Sequence, residues 1–314
     1  MQVFHKLEDV PPDFGPTIVS VGNFDGVHRA HQAVLRDIAE RARQQSANSV
    51  AVTFEPHPIR ILRPDSGLKL LTPTPEKLRL LASTGLDAVV LLPFGRDLSL
   101  LTPRQFAERI LKKKLHAREV HEGYNFHFGH KAAGDVNVLS EFGREMGFTV
   151  KIFEEMTLRG ESVSSSQIRK LLAAGRVSRA RHLLGRPFPI LCTPGRGRGY
   201  GSKYTVPTIN LSRYEELVPR DGVYITRTRV GEECFDSVTN VGNRPTFGAE
   251  SFAIESHLLN FHPMDLSADT EVEVFFLRRV REEIKFPSVE ALREQIAKDV
   301  KRARRYFHLM SRAQ

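Results

Sequence analysis

The chain contains almost no cysteine and no long apolar run. Cys192 and Cys234 are its only cysteines, which excludes a disulfide framework and a zinc site built from cysteines. No apolar stretch approaches the roughly 20 residues that a membrane-spanning helix needs. Residues 1–8 lack the apolar region of a signal peptide, and the chain has no internal repeat or low-complexity segment. We therefore expect a cytoplasmic globular protein with no membrane partner.

The charged residues are unbalanced, with 46 Lys and Arg against 37 Asp and Glu and a net charge of +9. A basic chain attracts polyanions, which are nucleic acids or small polyphosphate substrates. Residues 301–305 hold part of the excess, and a charge run on a terminal helix is typical of a solvated face. We expect small-molecule substrates and no specific nucleic-acid partner, while a homo-oligomer is compatible with the sequence.

The first part of the chain alternates strand and helix patterns. An apolar run at 18–21 is followed by a glycine-bearing loop, a helical pattern at 32–44 and a second apolar run at 50–54, which predicts a βαβ unit. The alternation continues with strands at 87–92 and 149–153, and with helices after Pro75 and at 103–115, 136–146, 163–172 and 178–184. This order is typical of an α/β domain with a parallel sheet.

The pattern changes after Gly185-Arg186-Pro187. Five short strand patterns follow, at 190–193, 222–228, 234–241, 252–259 and 271–277, and they predict a small antiparallel β-barrel. A helix closes the chain at 288–307, with Leu292, Ile296, Val300 and Ala303 as its predicted apolar face. Because 314 residues are enough for about two domains, we predict domains at 1–185 and 186–314.

The loop before the first helix contains two glycines and two histidines. Gly22 and Gly26 allow the backbone to approach a phosphate closely, and the helix N-terminus that follows attracts anions. His28 and His31 are three residues apart, so both can face one ligand. The pattern favours chemistry on a nucleotide phosphate, and the alternative is a pair of surface histidines on an ordinary turn.

Residues 22–31 resemble the G-x-F-D-G-x-H-x-G-H signature of HIGH-type nucleotidyltransferases, with Ala30 in place of a glycine. The most similar family is that of the bacterial bifunctional riboflavin kinases/FMN adenylyltransferases, or FAD synthetases. Three further stretches are similar to motifs of that family in the same order: 53–58 to T-F-[DE]-P-H-P, 123–129 to G-x-[DN]-F-x-F-G and 164–169 to S-S-T-x-I-R. The resemblance implies a Rossmann-like nucleotidyltransferase domain.

The same resemblance implies roles for individual residues. His28, His31 and Arg169 would neutralise charge while a phosphate oxygen of FMN attacks the α-phosphorus of ATP, so no protein nucleophile is needed. Asp25 would brace the loop. The implied ATP-binding residues are Gly22, Asn23, Phe24, Gly26, Ser164, Ser165 and Ser166. The implied flavin-binding residues are Pro56, His57, Pro58, Asn125, Phe126 and Phe128.

Four C-terminal stretches, at 206–211, 219–224, 240–247 and 254–261, resemble the riboflavin kinase module. The glycine-rich loop at 195–201, with Gly201 as a candidate ATP contact, could cradle phosphates or be a flexible turn. The resemblance implies that Thr208 and Asn210 hold ATP and its Mg²⁺. It also implies that Glu255 accepts the proton of the ribityl hydroxyl, whereas by itself Glu255 is an ordinary strand residue. The chain departs from the module at Thr205-Val206, where the family has Gly-Phe, and this departure bears on the fit of ATP.

The expected substrates and products are therefore riboflavin, FMN, FAD and ATP, with Mg²⁺ as cofactor. Three alternatives stay open at this point. The chain could be an adenylyltransferase whose degenerate kinase module only binds flavin, or an adenylyltransferase for another small phosphate ester. It could also be a nucleic-acid-binding protein with an OB-like barrel, although the sequence lacks the interleaved basic and aromatic residues typical of that function.

Overall fold

A computed structural model describes residues 1–195, 208–244, 251–262, 267 and 269–312 of the chain. The chain divides into two compact units, Met1–Ser165 and Ser166–Gln314. Among the described residues, no helix combines the length and the apolar character that crossing a membrane requires.

A six-stranded parallel sheet forms the centre of the first unit. Its strands are β1 (Gln2–Phe4), β2 (Thr17–Val21), β3 (Asn48–Glu55), β4 (Ala88–Pro93), β5 (Ala117–Gly123) and β6 (Thr149–Phe153). The spatial order is β1-β4-β3-β2-β5-β6, and a separate hairpin pairs β7 (Thr157–Leu158) with β8 (Glu161–Ser162). The predicted parallel α/β fold is confirmed.

The helices of this unit lie between the strands in sequence. They are α1 (Arg29–Gln44), α2 (Pro58–Leu62), α3 (Thr74–Ala82), α4 (Arg96–Ser99), α5 (Pro103–Phe106) and α6 (Val136–Met146), and α5 continues as a π-helix over Ala107–Lys114. The predicted stripe of α1 is buried, with Val34, Leu35 and Ile38 among its core residues. This burial fixes the helix against the sheet, with its N-terminus directly after the glycine loop.

The order of the strands reverses between β2 and β5. The chain continues from β2 to β3 on one side, whereas β5 is followed by β6 on the other side. Backbone pairing of β2 with β5 ends at Val19–Val120, although β2 stays paired with β3 as far as Val21–Val52. The carboxyl ends of β2 and β5 therefore diverge, and such a crevice is where open α/β sheets bind ligands.

The second unit is an antiparallel sheet that closes on itself. Its strands are β9 (Phe188–Cys192), β10 (Thr208–Asn210), β11 (Gly222–Val230), β12 (Glu233–Arg244), β13 (Ser251–Leu258) and β14 (Val272–Arg281), in the spatial order β10-β13-β12-β11-β14-β9. The two edges meet at a bridge between Pro194 and Leu211, and Gly195 N–H donates to Asn210 O over 2.7 Å. The predicted barrel is confirmed.

Two helices precede the barrel, α7 (Ser165–Ala173) and α8 (Val177–Leu184), and α9 (Val289–Ser311) follows it. The α8 helix packs against β9 and β14, and Ser178 Oγ donates to Leu277 O over 2.9 Å. Its buried residues are Val177, Ala180, Leu183 and Leu184.

The predicted apolar face of α9 is wrong in its first half. Leu292 is 39 % exposed and Ile296 is 41 % exposed, whereas Ala303 and Phe307 are buried in a cluster with Val223 and other strand residues. The buried residues of α9 are Asp299, Ala303 and Phe307, all beyond its first two turns, so periodicity alone could not show where burial begins.

The interior of the barrel contains a closed ring of five buried hydroxyl groups. They belong to Thr226, Thr228, Ser237, Thr239 and Ser256, none of which is exposed to solvent. The five links of the ring are Thr226–Ser237 and Ser237–Thr228 at 2.8 Å, Thr228–Ser256 and Thr239–Thr226 at 2.7 Å, and Ser256–Thr239 at 3.0 Å. Each hydroxyl therefore compensates for the burial of its two neighbours.

Candidate nucleotide and flavin sites

The first motif loop, residues 22–28, leaves β2 at the diverging crevice and is held by backbone contacts. Gly22 N–H donates to Val52 O over 2.9 Å. The Asp25 carboxylate accepts hydrogen bonds of 3.0 Å from the N–H groups of Leu71 and Thr72, so Asp25 braces the loop. Phe24 is only 3 % exposed, and its side chain supports the loop from the core.

The two histidines lie together at the start of α1. The Nδ1 atom of His28 accepts from His31 N–H at 3.4 Å, and the two rings stack with their centroids 3.6 Å apart. Burial, together with the neighbouring His28, lowers the pKa of His31 well below its usual value. The Nδ1 atom of His31 is buried and has no hydrogen-bond partner within the described part of the chain, which suits a group that awaits a ligand.

The 53–58 stretch contains the carboxyl end of β3 and the turn after it. His57 caps the N-terminus of α2, where its Nδ1 atom accepts from Ile59 N–H at 3.2 Å. Thr53 Oγ1 donates to Asn23 O at 3.3 Å, which joins this strand end to the first motif loop.

Lys77 of α3 is a buried cation that sequence analysis missed. Its Nζ atom donates to Thr53 Oγ1 at 3.2 Å and to Phe54 O at 3.3 Å. Burial lowers the pKa of Lys77, while the Glu55 and Asp25 carboxylates oppose the shift. The residue is an ordinary position in an amphipathic helix pattern, and only the folded sheet shows its contact with the motif strand.

The second motif loop, residues 123–129, leaves β5 on the other side of the crevice. Asn125 is exposed, whereas Phe128 is only 6 % exposed and packs on Phe106 with ring centroids 5.8 Å apart. Phe126 is half-buried and stacks on Phe128 at 5.4 Å. Phe128 therefore belongs to the core, and Phe126 and Asn125 are the more accessible members of the loop.

The serine segment is attached to the first motif loop, because Ser165 Oγ donates to Asp25 O over 2.8 Å. Ser166 and Arg169 follow on α7 and belong to the second compact unit. Contact of Arg169 with the same ligand as the histidines stays a prediction.

The candidate kinase residues lie on neighbouring strands of the barrel. Asn210 of β10 is the register partner of Glu255 of β13, which is also the partner of Asn240 of β12. Thr208 pairs with His257, and Thr208 Oγ1 is 3.4 Å from His257 Nδ1. Since register partners and residues two apart share one face of a sheet, these side chains form one polar patch.

His257 is a second residue that sequence analysis missed. Burial, with a smaller contribution from Arg304, lowers the pKa of His257, and its Nε2 atom has no partner among the described residues. Gly201, Thr205 and Val206 lie outside the described residues. The described part of the chain contains no group of three or more His, Cys, Asp or Glu side chains arranged to hold a metal ion.

A hydroxyl and an amide oxygen, from Thr208 and Asn210, nevertheless suit Mg²⁺, which binds through few protein ligands together with substrate phosphates. The motif loops of the parallel α/β unit and the polar patch of the barrel fit a transferase with a HIGH-type nucleotidyltransferase unit ahead of a kinase barrel.

Comparisons with known proteins agree with both units. The FAD synthetase family model matches residues 11–167, and the riboflavin kinase family model matches residues 184–307. The bifunctional riboflavin kinase/FMN adenylyltransferase of Pseudomonas fluorescens is 36 % identical over 97 % of both chains. That of Escherichia coli K12 is 33 % identical over 97 % of this chain and 96 % of its own.

This chain belongs to the bifunctional riboflavin kinase/FMN adenylyltransferase family. A crystal structure described as a macrolide-efflux protein from Streptococcus pneumoniae has a similar fold, with a TM-score of 0.86 and 26 % identity over 96 % of this chain and 98 % of that chain.

Proposed function

We propose that the C-terminal unit phosphorylates riboflavin to FMN and that the N-terminal unit adenylylates FMN to FAD, with ATP consumed in each step. One observation supports this proposal: motif residues that are far apart in the sequence lie close together, both in the first unit and in the barrel. The two motif loops flank the β2–β5 crevice, and Thr208, Asn210 and Glu255 share one face of the barrel.

In the adenylyl step, a phosphate oxygen of FMN forms a bond to the α-phosphorus of ATP, and the bond to pyrophosphate breaks. The protein positions two anions and stabilises the charge of the transition state. The N-terminus of α1, the backbone of the first motif loop and the serine segment bind phosphates, together with His28, His31 and Arg169. A bound phosphate favours a proton on His31, which offsets the effect of burial on its pKa.

The flavin would lie against the second motif loop and the 56–58 turn. Asn125 can hydrogen-bond the polar edge of the ring, and Phe126 offers apolar surface. Phe128 and His57 act indirectly, because one packs in the core and the other caps α2.

In the kinase step, Glu255 accepts the proton of the ribityl hydroxyl as that oxygen forms a bond to the γ-phosphorus of ATP, and the bond to the leaving ADP breaks. Thr208 and Asn210 hold the ATP phosphates and would be the protein ligands of Mg²⁺. The metal supplies charge neutralisation at the phosphates when it is bound.

Incubation of the protein with riboflavin, ATP and Mg²⁺, followed by chromatographic separation of the flavins, tests both steps. We expect FMN to form first and FAD to follow, with neither formed when the metal is chelated. FAD from supplied FMN without any FMN from riboflavin would favour an adenylyltransferase with a degenerate kinase module. Absence of FAD from supplied FMN would contradict the proposal.

A further inference from the structure

A buried carboxyl group occupies the crevice between the two motif loops. Glu122, the penultimate residue of β5, is only 3 % exposed. Its Oε1 atom accepts a hydrogen bond of 2.6 Å from the N–H of Val21, the last residue of β2. The bond therefore joins the last residue of β2 to the next-to-last residue of β5, the two strands from which the motif loops depart.

The hydrogen bond from Val21 to Glu122 takes the place of backbone pairing between β2 and β5, which is lost where the two strands diverge. The β2–β5 ladder ends at Val19–Val120, two residues before Val21. The next N–H in the chain, that of Gly22, donates in the opposite direction, to Val52 O of β3. The end of β2 is thus held from one side by β3 and from the other side by the Glu122 side chain.

The surroundings of Glu122 are apolar. Its register partner on β6 is Ile152, and the core residues on its side of the sheet include Val120 and Phe128. Burial raises the pKa of Glu122 well above its usual value, and the hydrogen bond from Val21 N–H opposes the shift. Burial therefore favours the uncharged form of Glu122, which suits a crevice that is to accept two anionic substrates.

We propose that Glu122 is a positioning residue that fixes the end of β2, and with it the first motif loop, for adenylyl transfer. This inference rests on the proposed function of the N-terminal unit. Without the side-chain contact, Val21 N–H would be buried and unpaired, and the loop that carries Asn23 and His28 could shift from its position. Small displacements of positioning groups are costly for a reaction that depends on the alignment of two substrates.

The test compares Glu122→Gln with Glu122→Val in FAD formation from FMN and ATP. Gln keeps an oxygen acceptor for Val21 N–H and is uncharged, so we expect its kcat within about 3-fold of wild type, whereas Val should lower kcat by about 10- to 100-fold. Riboflavin phosphorylation by the same preparations should be unchanged. Val120→Ala is the matched control, because it removes buried volume from the same face of β5 and leaves the contact intact.

The variants are assayed below their melting temperatures, so that loss of folded protein does not lower the rate. Equal losses in the Gln and Val variants, or wild-type kcat in the Val variant, would overturn the inference. A drop in Val120→Ala as large as that in Glu122→Val would also overturn it, since any weakening of the core would then suffice. Absence of FAD formation by the wild-type protein would instead overturn the proposed function, and this inference with it.

Discussion

His31 is neutral in the free protein, because burial and the adjacent His28 lower its pKa. It is also the residue whose buried Nδ1 atom has no partner in the described part of the chain. A buried nitrogen without a hydrogen bond destabilises the folded protein, and we expect a bound phosphate to offset this destabilisation. The site therefore depends on His31 more in the transition state than in the free protein.

We expect His31→Ala to slow FAD formation from FMN by about 10²- to 10³-fold, the effect of losing one preorganised charge-stabilising group. Riboflavin phosphorylation should persist, which makes the same preparation its own control. Product chromatography with each substrate supplied separately measures both rates. FAD formation at a nearly normal rate would remove His31 from the site.

Glu122 gives a prediction about stability and pH. Its pKa is raised from 4.5, so above that pH the folded protein retains a proton that the unfolded chain releases. Since the folded state then binds more protons, the free energy of unfolding falls as the pH rises from about 4.5 towards the folded-state pKa. Glu122→Gln removes this dependence.

Urea unfolding of the two proteins at about pH 5 and about pH 8 checks the sign, with Glu122→Gln gaining stability relative to wild type at the higher pH. A constant difference between the two proteins over this range would show that Glu122 ionises normally.

Glu255 offers a corresponding test of the kinase unit. Glu255→Gln preserves size and one acceptor and removes the base, so FMN production should fall by at least about 10²-fold. FAD production from supplied FMN should stay intact. Glu232→Gln, on the turn between β11 and β12, is a control for loss of a carboxylate from the same unit. If both activities of Glu255→Gln fell together, the residue would be structural.

The sequence was sufficient to identify the motif residues, because these are contiguous and have a specific spacing. It could not identify Lys77, Glu122 or His257. Lys77 reaches Thr53 from 24 positions along the chain, and Glu122 reaches Val21 over 101 positions. Contacts between residues so far apart in the sequence leave no local periodicity. Each of the three looks like an ordinary polar residue in its own helix or strand.

At the scale of helices and strands, long periodic segments were predictable and short ones were not. β1 and β10 have three residues each and exist because they pair with β4 and β13. The buried face of α9 begins late for a similar reason, since the strands beneath it decide where burial starts. The closure of the barrel at Pro194 and Leu211 is likewise a long-range contact.

The hydroxyl ring is another product of pairing between strands, because its members come from β11, β12 and β13. Thr228→Val opens the ring and takes one hydrogen-bond partner each from the buried hydroxyls of Ser237 and Ser256, so we expect the second unit to lose about 1–3 kcal/mol of stability. Thr228→Ser keeps the hydroxyl and serves as the control, with a smaller loss from the missing methyl group. Chemical denaturation measures both, and equal losses would show that packing rather than hydrogen bonding stabilises this position.

For the whole molecule, the boundary between the compact units and the start of the kinase module fall at different residues. The chain divides into compact units after Ser165, whereas the riboflavin kinase family model begins at residue 184 and we predict a domain start at residue 186. The segment between these points contains α7 and α8. The buried face of α8, formed by Val177, Ala180, Leu183 and Leu184, packs on the barrel strands β9 and β14.

Two fragments distinguish the functional boundary from the structural one. A fragment of residues 186–314 should phosphorylate riboflavin, since Thr208, Asn210 and Glu255 all lie within it. Ser166–Gln314 should have the same activity and a higher melting temperature, because it retains the buried face of α8 and the hydrogen bond from Ser178 to Leu277. Riboflavin phosphorylation and thermal unfolding, measured on both fragments and the full chain, separate these effects. If the shorter fragment is inactive and the longer one is active, the domain boundary lies at the start of α7. If both fragments are inactive and the full chain is active, the kinase depends on the N-terminal unit.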